Sequence, residues 1–192
     1  MRSLVLGLIA VLGCTSNGDD AGSGQPSGGG IDTADAISAT VTMSDGGDDT
    51  SSVARIVLGS TSNLCADAGA SPSIDRKGQH FVEIELRDVD GAMRTAPSAP
   101  GAYTIYPDTG EEPGKAASLT VGVLDDTCQV IDETYASGQS GTVTLTSVSA
   151  GVYAGSYDVV LNNGDHITGT FQPTACPQLA SALVNPDEHT CE

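Results

Sequence analysis

The sequence predicts an all-β domain, an antiparallel β-sandwich or partly open barrel of about nine strands with one short C-terminal helix. Three observations lead there. Apolar residues recur at every second position in short runs, the side-chain period of a strand with one buried face. Clusters of Gly, Asn and Asp separate those runs at the spacing of tight turns. With 39% hydrophobic residues but only 4% aromatic and no Trp, the core must be filled by Val, Ile, Leu and Ala.

The first run places Ile37, Ala39, Val41 and Met43 on one face, with Ser38, Thr40 and Thr42 on the other. Turn-forming residues 44–49 follow, then an apolar run from Val53 to Leu58. Residues 59–79 read as a long loop holding Cys65 and Pro72. His80 to Val89 alternates clearly, with Val82, Ile84 and Leu86 inward and Glu83, Glu85 and Arg87 outward; Asp90-Gly91 ends it. Pro100-Gly101 introduces a strand through Tyr103 and Ile105. Ala117, Leu119, Val121 and Val123 share the next face, and Val130 to Tyr135 reads as a further strand.

Two hairpins close the domain: Thr142–Thr146 turns through Ser149-Ala150-Gly151 into Val152–Leu161, which turns through Asn162-Asn163-Gly164 into Ile167–Phe171. Register in the second can be argued. A two-residue loop sets Ile167 across from Val160 and splits the large apolar residues between faces. A three-residue loop with Gly164 left-handed pairs Val159 with Ile167 and Tyr157 with Gly169, so that Tyr157, Val159, Ile167 and Phe171 share a face. The three-residue loop is the better fit. Pro177 to Leu183 is the one plausible helix, with Pro in its first turn.

Charge narrows the function. Seven basic residues face 25 acidic ones, a formal net charge of −18. Nucleic-acid binding needs clustered Lys and Arg to release counterions from phosphates, so nucleic acid is excluded as a partner. Electrostatic attachment to anionic headgroups is disfavoured for the same reason.

Residues 1–14 read MRSLVLGLIAVLGC. Arg2 supplies a positive start, and Leu4 to Leu12 is too short to span a bilayer, which takes about 20 residues of helix. Val11-Leu12-Gly13-Cys14 resembles the lipobox of bacterial lipoproteins. The resemblance implies that 1–13 is a signal peptide and that Cys14 becomes the acylated mature N-terminus. The alternative is an ordinary secretory signal with an incidental Cys. Thr15, in place of Asp, resembles the sorting pattern that implies the outer membrane. Thr15 to Gly30 holds six Gly and, apart from Ala21, no apolar side chain, so 14–30 is expected to be a flexible linker and 31–192 a single domain.

Four cysteines remain beyond Cys14: Cys65, Cys128, Cys176 and Cys191. An even count in an exported chain reads as two disulfides, with three possible connectivities. Pairing Cys176 with Cys191 and Cys65 with Cys128 is favoured, because it closes a short terminal loop. Zinc is the competing reading, but the cysteines lie far apart and no C-x-x-C occurs.

Residues 140–176, SGTVTLTSVSAGVYAGSYDVVLNNGDHITGTFQPTAC, are similar to the C-terminal hairpins of bacterial lipoproteins to which no activity is assigned. The resemblance implies a fold and no reaction.

Catalytic motifs are missing: there is no G-x-S-x-G, no H-E-x-x-H and no P-loop. His166 beside Asp165 has the makings of a base, although such a pair in a turn is more often local hydrogen bonding. Calcium is the best chemical candidate. Asp45, Asp48 and Asp49 crowd one turn, and Asp88 and Asp90 precede Gly91; Asp125-Asp126 and Asp108, Glu111, Glu112 crowd two more. Hard oxygen ligands suit Ca²⁺, but none of these completes a twelve-residue calcium loop, and Asp favours turns in any case. The expectation is therefore a lipid-anchored protein of the bacterial envelope with a structural or binding role, not an enzyme and without a required cofactor. A calcium-dependent binding or adhesion module is the first alternative, and a hydrolase with a dispersed site the second.

Overall fold

The alternating runs form strands, and the turn clusters between them set how far each strand extends. The computed structural model describes residues 33–44, 50–184 and 189–192; Cys14, the linker and Asp45, Asp48 and Asp49 lie outside them. In chain order the strands are β1 (Asp35–Ser44), β2 (Thr50–Gly59), β3 (Ser73–Asp75), β4 (His80–Asp90), β5 (Met93–Thr95), β6 (Gly101–Ile105), β7 (Lys115–Val123), β8 (Ala136–Ser149), β9 (Val152–Leu161), β10 (His166–Phe171), β11 (Thr174–Ala175) and β12 (His189–Cys191). Helix α1 (Leu64–Ala68) precedes β3, and α2 (Pro177–Val184) follows β11.

Ten strands form one sheet in the order β10-β9-β8-β6-β7-β4-β2-β1-β11, with β5 beside β4; β12 and β3 make a separate pair. The all-β class and the short C-terminal helix agree with the sequence pattern. Of the two arrangements that pattern allows, the chain adopts a single curled sheet rather than two stacked ones. The sheet is also mixed where alternation alone predicts antiparallel neighbours: β6 runs parallel to β7, and β11 parallel to β1.

The curl has a local cause. β8 carries two register shifts, between Gly138 and Ser140 and between Leu145 and Ser147. Such bulges bend a strand and increase its twist. Its first residues pair with β7 and its middle with β6. At one edge, β10 continues through Gln172-Pro173 into β11, which lies against β1 at the other edge. There Ser38 Oγ donates to the Gly151 carbonyl at 2.9 Å, and Thr40 Oγ1 lies 2.6 Å from the Tyr153 hydroxyl. The curl thus brings its edges together, which protects them from pairing with other chains.

The interior is filled by alternate residues of the strands, including Ile56, Ile84, Leu119, Val143, Tyr157 and Phe171, all almost wholly buried. Val82, Ile84 and Leu86 point inward as alternation predicts. The β9–β10 register is also the predicted one: Ile167 opposes Val159, Gly169 opposes Tyr157, and Gly164 has φ +92° in a three-residue loop.

Two expectations fail for physical reasons. Residues 130–135 do not form a strand of the sheet. Thr134 Oγ1 donates to the Ile131 carbonyl at 2.8 Å and accepts from the Val123 N–H at 3.0 Å, which holds Asp132–Thr134 as a 3-10 turn. The long loop 59–79 contains α1 and β3, elements too short to show a period in the sequence.

Gly169 lies under the ring of Tyr157: a Cβ there would stand 2.5 Å from ring and hydroxyl atoms. Gly169→Ala is therefore expected to cost about 1–3 kcal/mol in urea unfolding through overpacking; wild-type stability would show that the ring is seated elsewhere. The Tyr157 hydroxyl is buried with no hydrogen-bond partner among the described residues, and burial pushes its pKa up to about 12. Removing an unsatisfied buried group is neutral or favourable. Tyr157→Phe should match wild type or gain up to about 1 kcal/mol in the same titration, and a clear loss would reveal a partner.

Candidate functional site

Among the described residues, an apolar concave site lies on the outer flank of the sheet and originates in β1. Ser38 and Thr40 face the seam, so the same alternation turns Ile37 and Ala39 outward. Cross-strand from Ile37 is Val57, also outward. Together with Leu64, Cys176 and Leu179 these residues form a second apolar cluster, separate from the interior one. The two helices supply its cover.

Both helices need outside support, because five- and eight-residue segments are far below the length at which isolated helices persist. For α1, the Asp35 carboxylate accepts from the Leu64 N–H at 3.0 Å, satisfying a donor at the helix start. Asp67, in the first turn of α1, is buried and takes two hydrogen bonds from Arg76, at 2.9 and 2.6 Å. Arg76 also donates to Glu192 at 3.0 Å, and these carboxylates raise its already high pKa. For α2, Pro177 occupies the first position, where its missing N–H costs nothing.

All four cysteines form disulfides, but in a pairing other than the one the spacing favours. Cys65 bonds Cys176, joining α1 to the start of α2, and Cys128 bonds Cys191, joining the loop after β7 to β12. The short terminal loop is not closed: Cys176 is buried in the apolar cluster that Cys65 also packs against, and Cys191 is carried by β12. β12 then runs parallel to β3, setting Cys191 opposite Asp75, whose carbonyl is 3.5 Å from the Cys128 sulfur. The closed loops span 111 and 63 residues, and bridges of that kind are worth about 2–4 kcal/mol each.

Between these elements lies a cavity of about 380 Å³. Ile37 and Val57 form its floor, Leu64 and Ala68 one wall, and Leu179, Ala182 and Leu183 another. Its polar groups are Asp67, Asp75, Gln79, Ser73 and His189, with His189 Nδ1 at 3.1 Å from Asp75 Oδ2. Apolar walls with a few convergent polar groups characterise small-molecule sites. Sequence reasoning missed this cavity. The one available signal was the outward-facing half of β1, whose side cannot be assigned from alternation.

The chemical candidates named from sequence lie elsewhere and do not come together. His166 bonds Asp158 at 2.6 Å, both exposed, while Asp165 is held by Asn163. His80 begins β4, and no bond among the described residues links it to His166. Asp88 lies on β4, where Oδ1 accepts from Lys115 Nζ at 2.9 Å and from the Tyr103 hydroxyl at 3.0 Å; Asp90 is exposed at the end of the strand. Hydrogen bonding to Asp88 raises the pKa of Lys115, keeping it an ammonium rather than a nucleophilic amine. Asp125 accepts from the Gln129 N–H and from the hydroxyl and N–H of Thr127, which hold its pKa below the usual carboxylate value. Burial acts to raise the pKa of Glu112, but Arg87 and then Arg94 outweigh it and the net shift is downward. Among the described residues no three His, Cys, Asp or Glu side chains converge as metal ligands. No helix among them is long and apolar enough to cross a membrane.

No protein-family model, curated protein or solved structure matches the chain.

The disulfide pairing can be checked without reduction. Cleavage after glutamate isolates Cys128 in 112–133, the Glu112–Pro113 bond being resistant, Cys176 in 134–188 and Cys191 in 189–192. The fragment 189–192 is expected to travel with 112–133 in the mass spectrum; its appearance with 134–188 would restore the short terminal loop.

Proposed function

We propose that this protein is a lipid-anchored binding module of the bacterial envelope, with the flank cavity as its binding site. The observation that carries the binding role is the cavity itself, which lies between two elements each tied down by a disulfide. A site braced at both ends is pre-organised, and pre-organisation lowers the ordering cost of holding a ligand. A catalytic role has less support. Lys115 is held as an ammonium by Asp88, and the His166–Asp158 pair is exposed on a hairpin rather than set in a cleft.

The anchor rests on Val11-Leu12-Gly13-Cys14 and on the cysteine count, which leaves one thiol for acylation once two disulfides are made. Several acyl chains hold a protein at a bilayer where one alone binds marginally. The outer membrane is the proposed destination, on the basis of Thr15. From Cys14 to Thr33 the chain runs 19 residues, a reach of at most about 65 Å. Ala34 donates to the Gly59 carbonyl and Asp35 accepts from the Leu64 N–H, so the tether would join at the cavity's flank. The acidic surface fits this setting, since like charge discourages the domain from lying flat on anionic lipid.

Expression of the full chain and of Cys14→Ser in a Gram-negative host tests the anchor. The unaltered protein should enter the detergent phase on phase separation, with a mass that starts at Cys14 and includes acyl chains; Cys14→Ser should stay in the aqueous phase. An unaltered protein that stays aqueous with its leader attached would end the anchor reading.

A further inference from the structure

The cavity's chemistry specifies what it would hold. Its volume of about 380 Å³ lies at the lower end of the range for small-molecule sites, about 300–1,000 Å³. That admits a short chain or a single ring and no folded partner. Its apolar walls are aliphatic, with no Phe, Tyr or Trp among the described lining residues, so the bound body is held by burial rather than stacking.

Charge decides the head group. The described lining holds two carboxylates, Asp67 and Asp75, and no Lys or Arg; the guanidinium beside it, that of Arg76, is paired with Asp67 and Glu192. Arg76 is already engaged through Nε and both terminal nitrogens, by Asp67 and Glu192. A carboxylate or phosphate arriving there would find no uncommitted guanidinium and would meet the field of a chain with net charge −18. Asp75 differs from Asp67. Its Oδ2 faces His189, one partner at 3.1 Å, against the two hydrogen bonds that hold Asp67. An arriving cation would gain a charge-assisted hydrogen bond at that carboxylate.

Resting on the binding role proposed above, we infer that the flank cavity takes a small apolar cation, an alkylammonium in chemical class. Its chain lies against Ile37, Leu64 and Leu179, and its ammonium is at Asp75. The cavity's polar side supplies orientation and its apolar side supplies affinity. The negative surface around it raises the local concentration of such cations.

Three probes of equal length separate these contributions: n-octylamine, n-octanol and n-octanoate. They are titrated by calorimetry into the full chain carrying Cys14→Ser, below micelle-forming concentrations and at pH 8. Octylamine is expected to bind at least about tenfold more tightly than octanol, with octanoate weakest. Asp75→Asn should bring octylamine down to the affinity of octanol and leave octanol unchanged. Ala182→Phe, which fills the cavity from α2, should abolish binding of both while the far-ultraviolet circular dichroism stays that of the parent. Raising the salt should shrink the preference for the amine.

Equal binding of octanol and octylamine, or tightest binding of octanoate, would overturn the ammonium assignment while leaving the cavity as a binding site. Binding of none of the three would overturn both. Binding that survives Ala182→Phe would place the ligand elsewhere and sink the assignment as well.

Discussion

The seam between β1 and the β8–β9 hairpin is the constraint on which the rest of this structure depends. A single curled sheet has two edges, and here they are brought together by the chain itself, since β10 runs on into β11 beside β1. Ser38 and Thr40 complete the join by reaching Gly151 and Tyr153. Because strands alternate, placing those two hydroxyls at the seam forces Ile37 and Ala39 to the outside. An exposed apolar strip is costly, and α1 and α2 cover it. The cavity exists because that cover does not fill all of the space beneath it.

Seen from this flank, the positions of the disulfides make physical sense. The sheet interior is closely filled by residues from most strands and has no need of covalent help. The helices are short and share a small cluster, with few apolar contacts to offset the entropy of ordering them. Both bridges fall at these short elements: one joins the helical segments to each other, and the other fixes the terminal strand beside β3.

Electrostatics follows a similar division. Six basic residues lie beyond Arg2, and five of them, Arg55, Arg76, Arg87, Arg94 and Lys115, are paired with carboxylates. Arg55, Glu85, Arg87, Glu112 and Arg94 form a continuous chain of such pairs on the outer face. With so much positive charge committed, the surplus negative charge is left to the surface. Isolated surface pairs contribute little to stability, so the larger consequence of this imbalance is the field it presents to ligands.

The sequence by itself determined what depends on near neighbours. Period-two runs identified most of the long strands, the spacing of Tyr157, Val159, Ile167 and Phe171 selected the three-residue loop and its register, and Pro177 marked the second helix. Each of these is decided within a dozen residues, where turn chemistry and side-chain period act directly. Tertiary structure alone decided that the sheet would curl and close, which way β1 would face, and how the cysteines would pair. Alternation says that Ile37 and Ala39 share a face but not which face is covered, and spacing between cysteines does not show that Cys176 packs against β1 while β12 docks on β3. The candidate site was almost wholly illegible in the sequence for this reason. Its walls come from β1, β2, α1, β3, α2 and β12, and only packing between distant segments brings them together.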